Sequence, residues 1–550
     1  MKKFAIPLVA ASALALAGCG ATANNTAAGG SGTSSTLNVV IYPQGSWSEN
    51  FNPFSPNALG GTVGFLYEPL VQFIDLSGKS VNWLASSYAW SNNNTVLTLK
   101  LRSGVKWSNG QPFTSKDVAF TLNLMKKYPG IDANAVWSFL KSVAAPNPTT
   151  VIFTLDKPDV SAFYYLTSIT PVPESVWSKV KNPVTFTNTN PVVTGPYLLG
   201  KFNPQDYTFQ KNPHYWQPGK PKVDTLSFPA YTSNSSVDLA LSKGLVDWAA
   251  LFTPDIQKTY VDTNPSGHKY WFGQGDPVML FLNNDVYPLS NASVRTALSY
   301  AINRNQVSNQ GEYGYEKPAT AIGIPPGQSS YADPAALSQA PSSYNPQKAV
   351  QMLKSLGFKQ NASGQMLMPN GKPFQLSLLV VSSYSDWVQD VTIIASDLKK
   401  IGIDTTVKPL QYSAYYSDLQ NGNYSAAIGW SFSGPNPFYY FNFAMNSLYS
   451  APIGKAASSN VERFQSAQAD QYLAEYNSTT SSAAQQQALN KLQMLWAQQM
   501  PSIPLVWGAF WNEYNAGSFS GWPTPSNPYT DPGPNDAAQE LTVLHLSPTK

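Results

Sequence analysis

Cysteine occurs once in this chain of 550 residues, at position 19. No internal disulfide can form, so packing and hydrogen bonds alone must hold the fold. A single hydrophobic core stops growing beyond ~250–300 residues, and a chain of this length therefore predicts two or three lobes and is long enough to enclose a ligand. Cys19 also closes the phrase Leu16-Ala17-Gly18-Cys19. Lys2 and Lys3 precede an apolar run from Phe4 to Ala17, the layout of an export signal whose small residues before a cysteine make a lipobox. The run is shorter than the ~20 residues a membrane span needs. The expectation is a signal peptide over 1–18, with Cys19 as the lipidated N-terminus. Residues 20–35, GATANNTAAGGSGTSS, carry no large apolar side chain. The segment 19–36 reads as a flexible tether.

Charged residues make up only 12% of the chain, against about 25% in ordinary globular proteins. Ser, Thr, Asn and Gln supply the polar surface instead. The formal charge is +3, and two of the positive charges are Lys2 and Lys3, which excludes nucleic acid as a partner. Such a surface suits a medium of variable or acidic pH, because few carboxylates have to titrate. No later segment reaches spanning length without charges or prolines, so the body should be soluble beside the membrane.

The periodicities alternate between two kinds. Leu37 to Ile41, Val96 to Leu101 and Val151 to Leu155 read as strands. Ser115 to Met125 reads as a helix with Thr114 or Ser115 as N-cap. Further helices are predicted over Ser293–Ile302, Gln347–Leu356, Trp387–Lys400 and Ala483–Met500, with Gly357 as a C′ residue. The mixture predicts α/β lobes.

Four stretches, in order, carry a resemblance. They are Tyr67-Glu68-Pro69-Leu70 with Leu84 to Trp90; Leu99 to Val118, which includes Gly104-Val105-Lys106-Trp107-Ser108-Asn109-Gly110-Gln111-Pro112-Phe113; Thr194-Gly195-Pro196-Tyr197 with Lys211 to Trp216; and Val294 to Arg304 with Leu398 to Ile403. Together they resemble the family 5 extracellular solute-binding proteins of ABC importers, over nearly the whole mature chain. The resemblance implies an α/β, two-lobed periplasmic-binding-protein-like clamshell with an additional inserted α/β domain. Carried over, lobe one comprises 37–60, 187–275 and 508–550, the inserted domain 61–186, and lobe two 276–507. It also implies permease subunits of an ABC transporter as partners, an extracytoplasmic location and a monomer.

Peptide-binding members hold the ligand's amine with an aspartate shortly after a Gly-Trp pair. Here Gly429-Trp430 leads to Ser433, and a hydroxyl cannot neutralise a buried ammonium. A carboxylate from elsewhere, such as Asp386, would have to substitute. Neutral sugars need aromatic platforms together with amides and hydroxyls, and the chain has 15 Trp and 30 Tyr. Trp47, Trp271, Trp387, Trp430, Trp511 and Trp522 are candidate platforms, and Asn284, Asn436 and Ser433 candidate hydroxyl partners. Trp83, Trp90, Trp107, Trp137, Trp177, Trp216 and Trp496 read as core. The phrases Gly521 to Tyr529, Gly434-Pro435-Asn436-Pro437 and Ser385-Asp386-Trp387 resemble the family's β-oligosaccharide-binding branch, which takes cello-, xylo- or manno-oligosaccharides. An oligopeptide receptor that reads the backbone is the alternative, and a secreted glycosidase or adhesion protein a third. Three scattered histidines and one cysteine give no metal-ligand spacing. No cofactor and no catalytic residue is expected.

Overall fold

A computed structural model describes residues 35–432, 434–535 and 538–549. Cys19, the expected leader, the tether through residue 34, and Ser433 lie outside them. In the strand Gly273–Leu282 the residues Val278 to Leu282 are buried on both faces. Gln375–Val381 likewise ends in a buried apolar run. Uninterrupted apolar strands of this kind belong inside sheets covered on both sides, and each buried Leu or Val contributes about 1.5–3 kcal/mol.

These two strands lie in a five-stranded sheet, ordered Asp404–Leu410, Gln375–Val381, Ala426–Trp430, Gly273–Leu282 and Ser502–Phe510. A seven-stranded sheet is ordered His268–Tyr270, Glu513–Asn515, Trp248–Ala249, Thr36–Val40, Thr225–Pro229, Asp206–Lys211 and Tyr197–Asn203. Between two strands of the latter, Thr36–Val40 and Tyr197–Asn203, the chain leaves to build a separate four-stranded antiparallel sheet. Its strands are Ala85–Ser91, Val96–Leu101, Thr150–Leu155 and Leu140–Asn147, with the helix Ser115–Lys127 packed on it. The architecture is the expected α/β clamshell with an inserted α/β domain.

The two large sheets are joined by a narrow crossing. Tyr270 pairs with Glu513 in the seven-stranded sheet and Gly273 with Phe510 in the five-stranded one. Only Trp271-Phe272 and Trp511-Asn512 lie between, and Trp271 N donates to Asn512 O at 3.0 Å. Asn512 is buried, and its Oδ1 accepts from Trp248 Nε1 at 2.9 Å.

Local signals set the helices within a residue or two. Thr114 caps Ser115–Lys127 while Asp117 Oδ2 accepts from Thr114 N at 2.9 Å, a capping box. Ala292–Ala301, Pro346–Ser355, Ser385–Lys400 and Ser482–Gln499 follow the apolar periodicity. Gly357 takes φ +87°, as a C′ residue must.

The recurring phrases turn out to bind one another. Glu68 Oε1 accepts from Trp83 Nε1 and Tyr215 Oη, both at 2.8 Å, and from Trp216 Nε1 at 3.0 Å. Gly195 sits so close to the preceding backbone that a Cβ would lie 2.4 Å from Phe65 O, and its own carbonyl accepts from Asn212 Nδ2 at 2.9 Å. Arg295 donates to the carbonyls of Met500 and Leu289 at 2.9 and 2.6 Å. Trp83, Trp107, Trp177 and Trp496 are buried, and Trp90, Trp137 and Trp216 are partly buried against the same core.

Candidate functional site

Strand direction places the site. Thr36–Val40 runs parallel to Trp248–Ala249, and Gln375–Val381 runs parallel to Asp404–Leu410 and Ala426–Trp430. Ser502–Phe510 and Ala426–Trp430 are both antiparallel to Gly273–Leu282, so they point the same way. Residues just past the C-terminal ends of such strands form the crevice where open α/β sheets hold ligands. A cavity of about 200 Å³ lies there, lined from the first lobe by Tyr42, Asn234, Phe252, Trp511 and Asn535 and from the second by Tyr384, Asp386, Tyr412 and Trp430. Tyr42 follows one strand, Phe252, Tyr384 and Tyr412 follow three others, Trp430 ends its strand, and Trp511 opens the crossing.

The lobes touch around it. Tyr42 and Tyr412 stack across the junction with centroids 5.7 Å apart and planes 6° from parallel. Asn234 Nδ2 donates to Ser385 Oγ at 3.3 Å. Trp430 remains 38% exposed, so its ring face is available. It is backed by Trp387 at 4.4 Å and Tyr384 at 5.8 Å. Trp511 is held edge-on by Phe272 at 4.6 Å and Phe252 at 5.8 Å. Rings fixed in this way have little rotamer freedom left to lose on binding.

Among the described residues the cavity lining contains no Lys or Arg. Among the described residues its one carboxyl, Asp386, stands in the first turn of Ser385–Lys400, where burial pushes it up to about 7, opposed by backbone N–H donors and reinforced by Asp238. Behind it Glu312, Glu316 and Asp390 are buried together, each raised well above the carboxylate range, first by burial and then by its neighbours' charges. Glu316 Oε1 accepts from Ala509 N at 2.8 Å, which ties this group to the crossing strand. On the facing lobe burial lifts Asp238 to about 6, and Thr253 Oγ1 donates to it at 2.8 Å.

Among the sequence candidates, the cavity brings together Trp430 and Trp511, and Trp387 supports the first from behind. Trp47 is buried one layer back, edge-on to Tyr42 at 6.1 Å, with Nε1 donating to Phe228 O at 2.9 Å. Trp271 lies in the crossing. Trp522 is buried against Trp248 at 5.7 Å and Tyr514 at 5.1 Å, and its Nε1 donates to Phe519 O at 2.9 Å. Asn284 Nδ2 serves the carbonyls of Leu282 and Glu462 at 2.8 and 2.9 Å. Asn436 caps Pro437–Met445, its Oδ1 accepting from Phe438 N at 3.0 Å. Ser433 lies outside the described residues. A Trp522→Phe protein should accordingly lose about 1–2 kcal/mol of stability in denaturant melts, with ligand affinity unchanged. The tyrosines of the cavity, Phe252, Asn234 and Asn535 were not singled out from sequence. Their common signal is position just beyond a parallel strand or at a facing helix, which requires the strand directions.

A sheet crossing with a cavity at facing strand ends defines a two-lobed solute receptor. The sequence model described as bacterial extracellular solute-binding proteins, family 5, middle, matches residues 79–451, and the chain belongs to this family of ABC importer components. It is 27% identical over 409 residues to a nickel-binding periplasmic protein of Escherichia coli, covering 71% of this chain and 75% of that one. It is 27% identical over 481 residues to a glutathione-binding protein of Shigella flexneri, covering 85% and 88%. Among solved structures, a periplasmic oligopeptide-binding protein of an oligopeptide ABC transporter from Thermotoga maritima, crystallised with mannohexaose, superposes with TM-score 0.86 at 28% identity, covering 94% of this chain and 99% of that one.

Proposed function

We propose that this chain is a lipid-anchored, monomeric receptor that captures a neutral cello-, xylo- or manno-oligosaccharide and delivers it to an ABC permease. The observation that carries this reading is the cavity itself: among the described residues, six aromatic side chains with the amides Asn234 and Asn535, and no Lys or Arg. Apolar sugar faces stack on such rings, while amides and a carboxyl meet the hydroxyl edges. Mannohexaose in the Thermotoga maritima relative supports it. Trp430 and Trp511 are the proposed platforms. Lobe one is assigned to 37–60, 187–275 and 508–550, the inserted domain to 61–186, and lobe two to 276–507. The anchor rests on Lys2, Lys3 and the phrase ending in Cys19, with residues 1–18 as the removed signal and the body held at the outer face of the membrane. No catalytic role is assigned.

An oligopeptide receptor is the second reading, and Asp386 in the cleft favours it, because a carboxyl there offers a partner to an amine. Tryptophan fluorescence during titration with cellobiose, xylobiose, mannobiose and a tripeptide separates the two. A saturable change with one of the disaccharides is expected, whereas a response to the peptide alone would overturn the oligosaccharide reading.

A further inference from the structure

Beside the aromatic cavity, hydrogen bonds tie one lobe to the other. Asn234 Nδ2 donates to Ser385 Oγ at 3.3 Å, and Ile256 N donates to Tyr315 Oη at 2.9 Å. On the second lobe each acceptor stands immediately before a buried carboxyl, Ser385 before Asp386 and Tyr315 before Glu316. Those two carboxyls belong to one group, with Glu312 and Asp390 behind them. The group is packed without slack, since a Cβ on Gly311 would run into Asp390 Oδ1.

The first lobe brings a matching acid. In the helix Asn234–Ser242, Asp238 follows Asn234 by one turn and shares its face. Asp238 Oδ1 accepts from Thr253 Oγ1 at 2.8 Å, and its charge reaches Asp386 across the junction and Glu513 in its own lobe. Asp386 therefore faces Asp390 on its own helix, Glu312 and Glu316 from the segment packed on that helix, Tyr384 from the turn before it, and Asp238 from the other lobe. None of the three salt bridges among the described residues involves these acids. Lys317, next in sequence to Glu316, donates to Gly314 O at 2.8 Å instead. Buried carboxyls crowded without a cation stay together only while they hold their protons.

We propose that Asp386 and Asp238 form a proton latch between the lobes: protonated, they permit the closed form, and once ionised they drive the cleft open. Opening lets water reach both carboxyls and takes each out of the other's field, so they release protons more readily in the open form. In the closed form burial pushes Asp386 up to about 7 and Asp238 to about 6, against an ordinary value near 4. The closed form binds more protons over that interval, so closure is favoured fully below it and is lost as pH rises through 6 to 7. Each unit by which closure raises one carboxyl is a tenfold change in the closed-to-open ratio. The latch belongs to the empty receptor and does not depend on what the cavity holds.

The test reads lobe separation in the ligand-free full chain by electron double resonance. Cys19 is the only native thiol, so a Cys19→Ser background takes spin labels at Leu239→Cys and Lys399→Cys, two exposed positions on the helices that carry the latch. Between pH 5 and pH 8 the ratio of short to long distances should fall roughly tenfold or more, with far-ultraviolet dichroism of the same samples separating opening from unfolding. Asp386→Asn with Asp238→Asn, which cannot ionise, should hold the pH 5 ratio throughout. A ratio that stays constant or rises with pH overturns the proposal, as does a fall that persists in the double variant. The pH series on the unaltered acids stands even where that variant fails to fold. Because no ligand is present, failure of the latch and failure of the oligosaccharide reading are separate results.

Discussion

Trp511→Ala should lower affinity for the proposed oligosaccharide by roughly 100-fold, about 2–3 kcal/mol. Trp511 lines the cavity from the crossing and is clamped between Phe272 and Phe252, so truncation removes a platform already fixed for binding and opens space behind it. Trp430→Ala should cost roughly 10- to 100-fold, since its exposed ring gives up a contact face but less of the surrounding packing. Trp387→Phe, one layer back, should weaken binding only several-fold by loosening Trp430. Calorimetry on each variant, alongside a denaturant melt, separates lost contact from lost folding. Unchanged affinity in both alanine variants would place the ligand outside this cavity.

Stability should fall as pH rises, the reverse of ordinary acid denaturation. Burial pushes Glu68 and Asp386 up to about 7, Glu462 to about 8, and Asp238 and Asp531 to about 6. In the unfolded chain these groups ionise near 4. Between that value and the folded pKa the native state binds more protons than the unfolded state, so the slope of unfolding free energy against pH is negative. The stabilisation is complete below about pH 4 and is lost progressively until pH passes 6 to 8. A carboxyl that holds its proton tenfold more tightly in the folded state than in the unfolded one contributes about 1.4 kcal/mol. A loss of several kcal/mol between pH 5 and pH 8 is therefore expected, on the order of 5 °C or more in melting temperature. The opposing contribution is small, since among the described residues the three salt bridges all pair carboxylates with exposed lysines. A melting temperature that climbs from pH 5 to pH 8 would contradict the assignment.

Helices were legible because their signals are local: the Thr114 and Asp117 caps, the Gly357 stop and the apolar periodicity each act within a turn or two. The insertion was legible only through the resemblance, and nothing local in Trp271 or Trp511 announces a sheet change. The cavity was harder to read. Tryptophan serves core and platform alike, and whether an indole N–H finds a backbone carbonyl, as in Trp47 and Trp522, is decided by how the chain packs around it. Tyr42, Tyr384 and Tyr412 become conspicuous once three strands are known to end at one crevice. Asp386 could be named from sequence as a substitute carboxylate, but its coupling to Glu312, Glu316 and Asp390 is a product of tertiary packing.

The crossing between the sheets is only two residues long on each side, and Trp511 belongs to it. Any swing of one lobe against the other is shared by the backbone of a residue that also lines the cavity. If Trp511 is a ligand platform as proposed, occupancy and posture meet in one residue, and apparent affinity carries a conformational tax set at this joint. A permease that senses a closed receptor would be reading the posture of that joint as well as the presence of cargo.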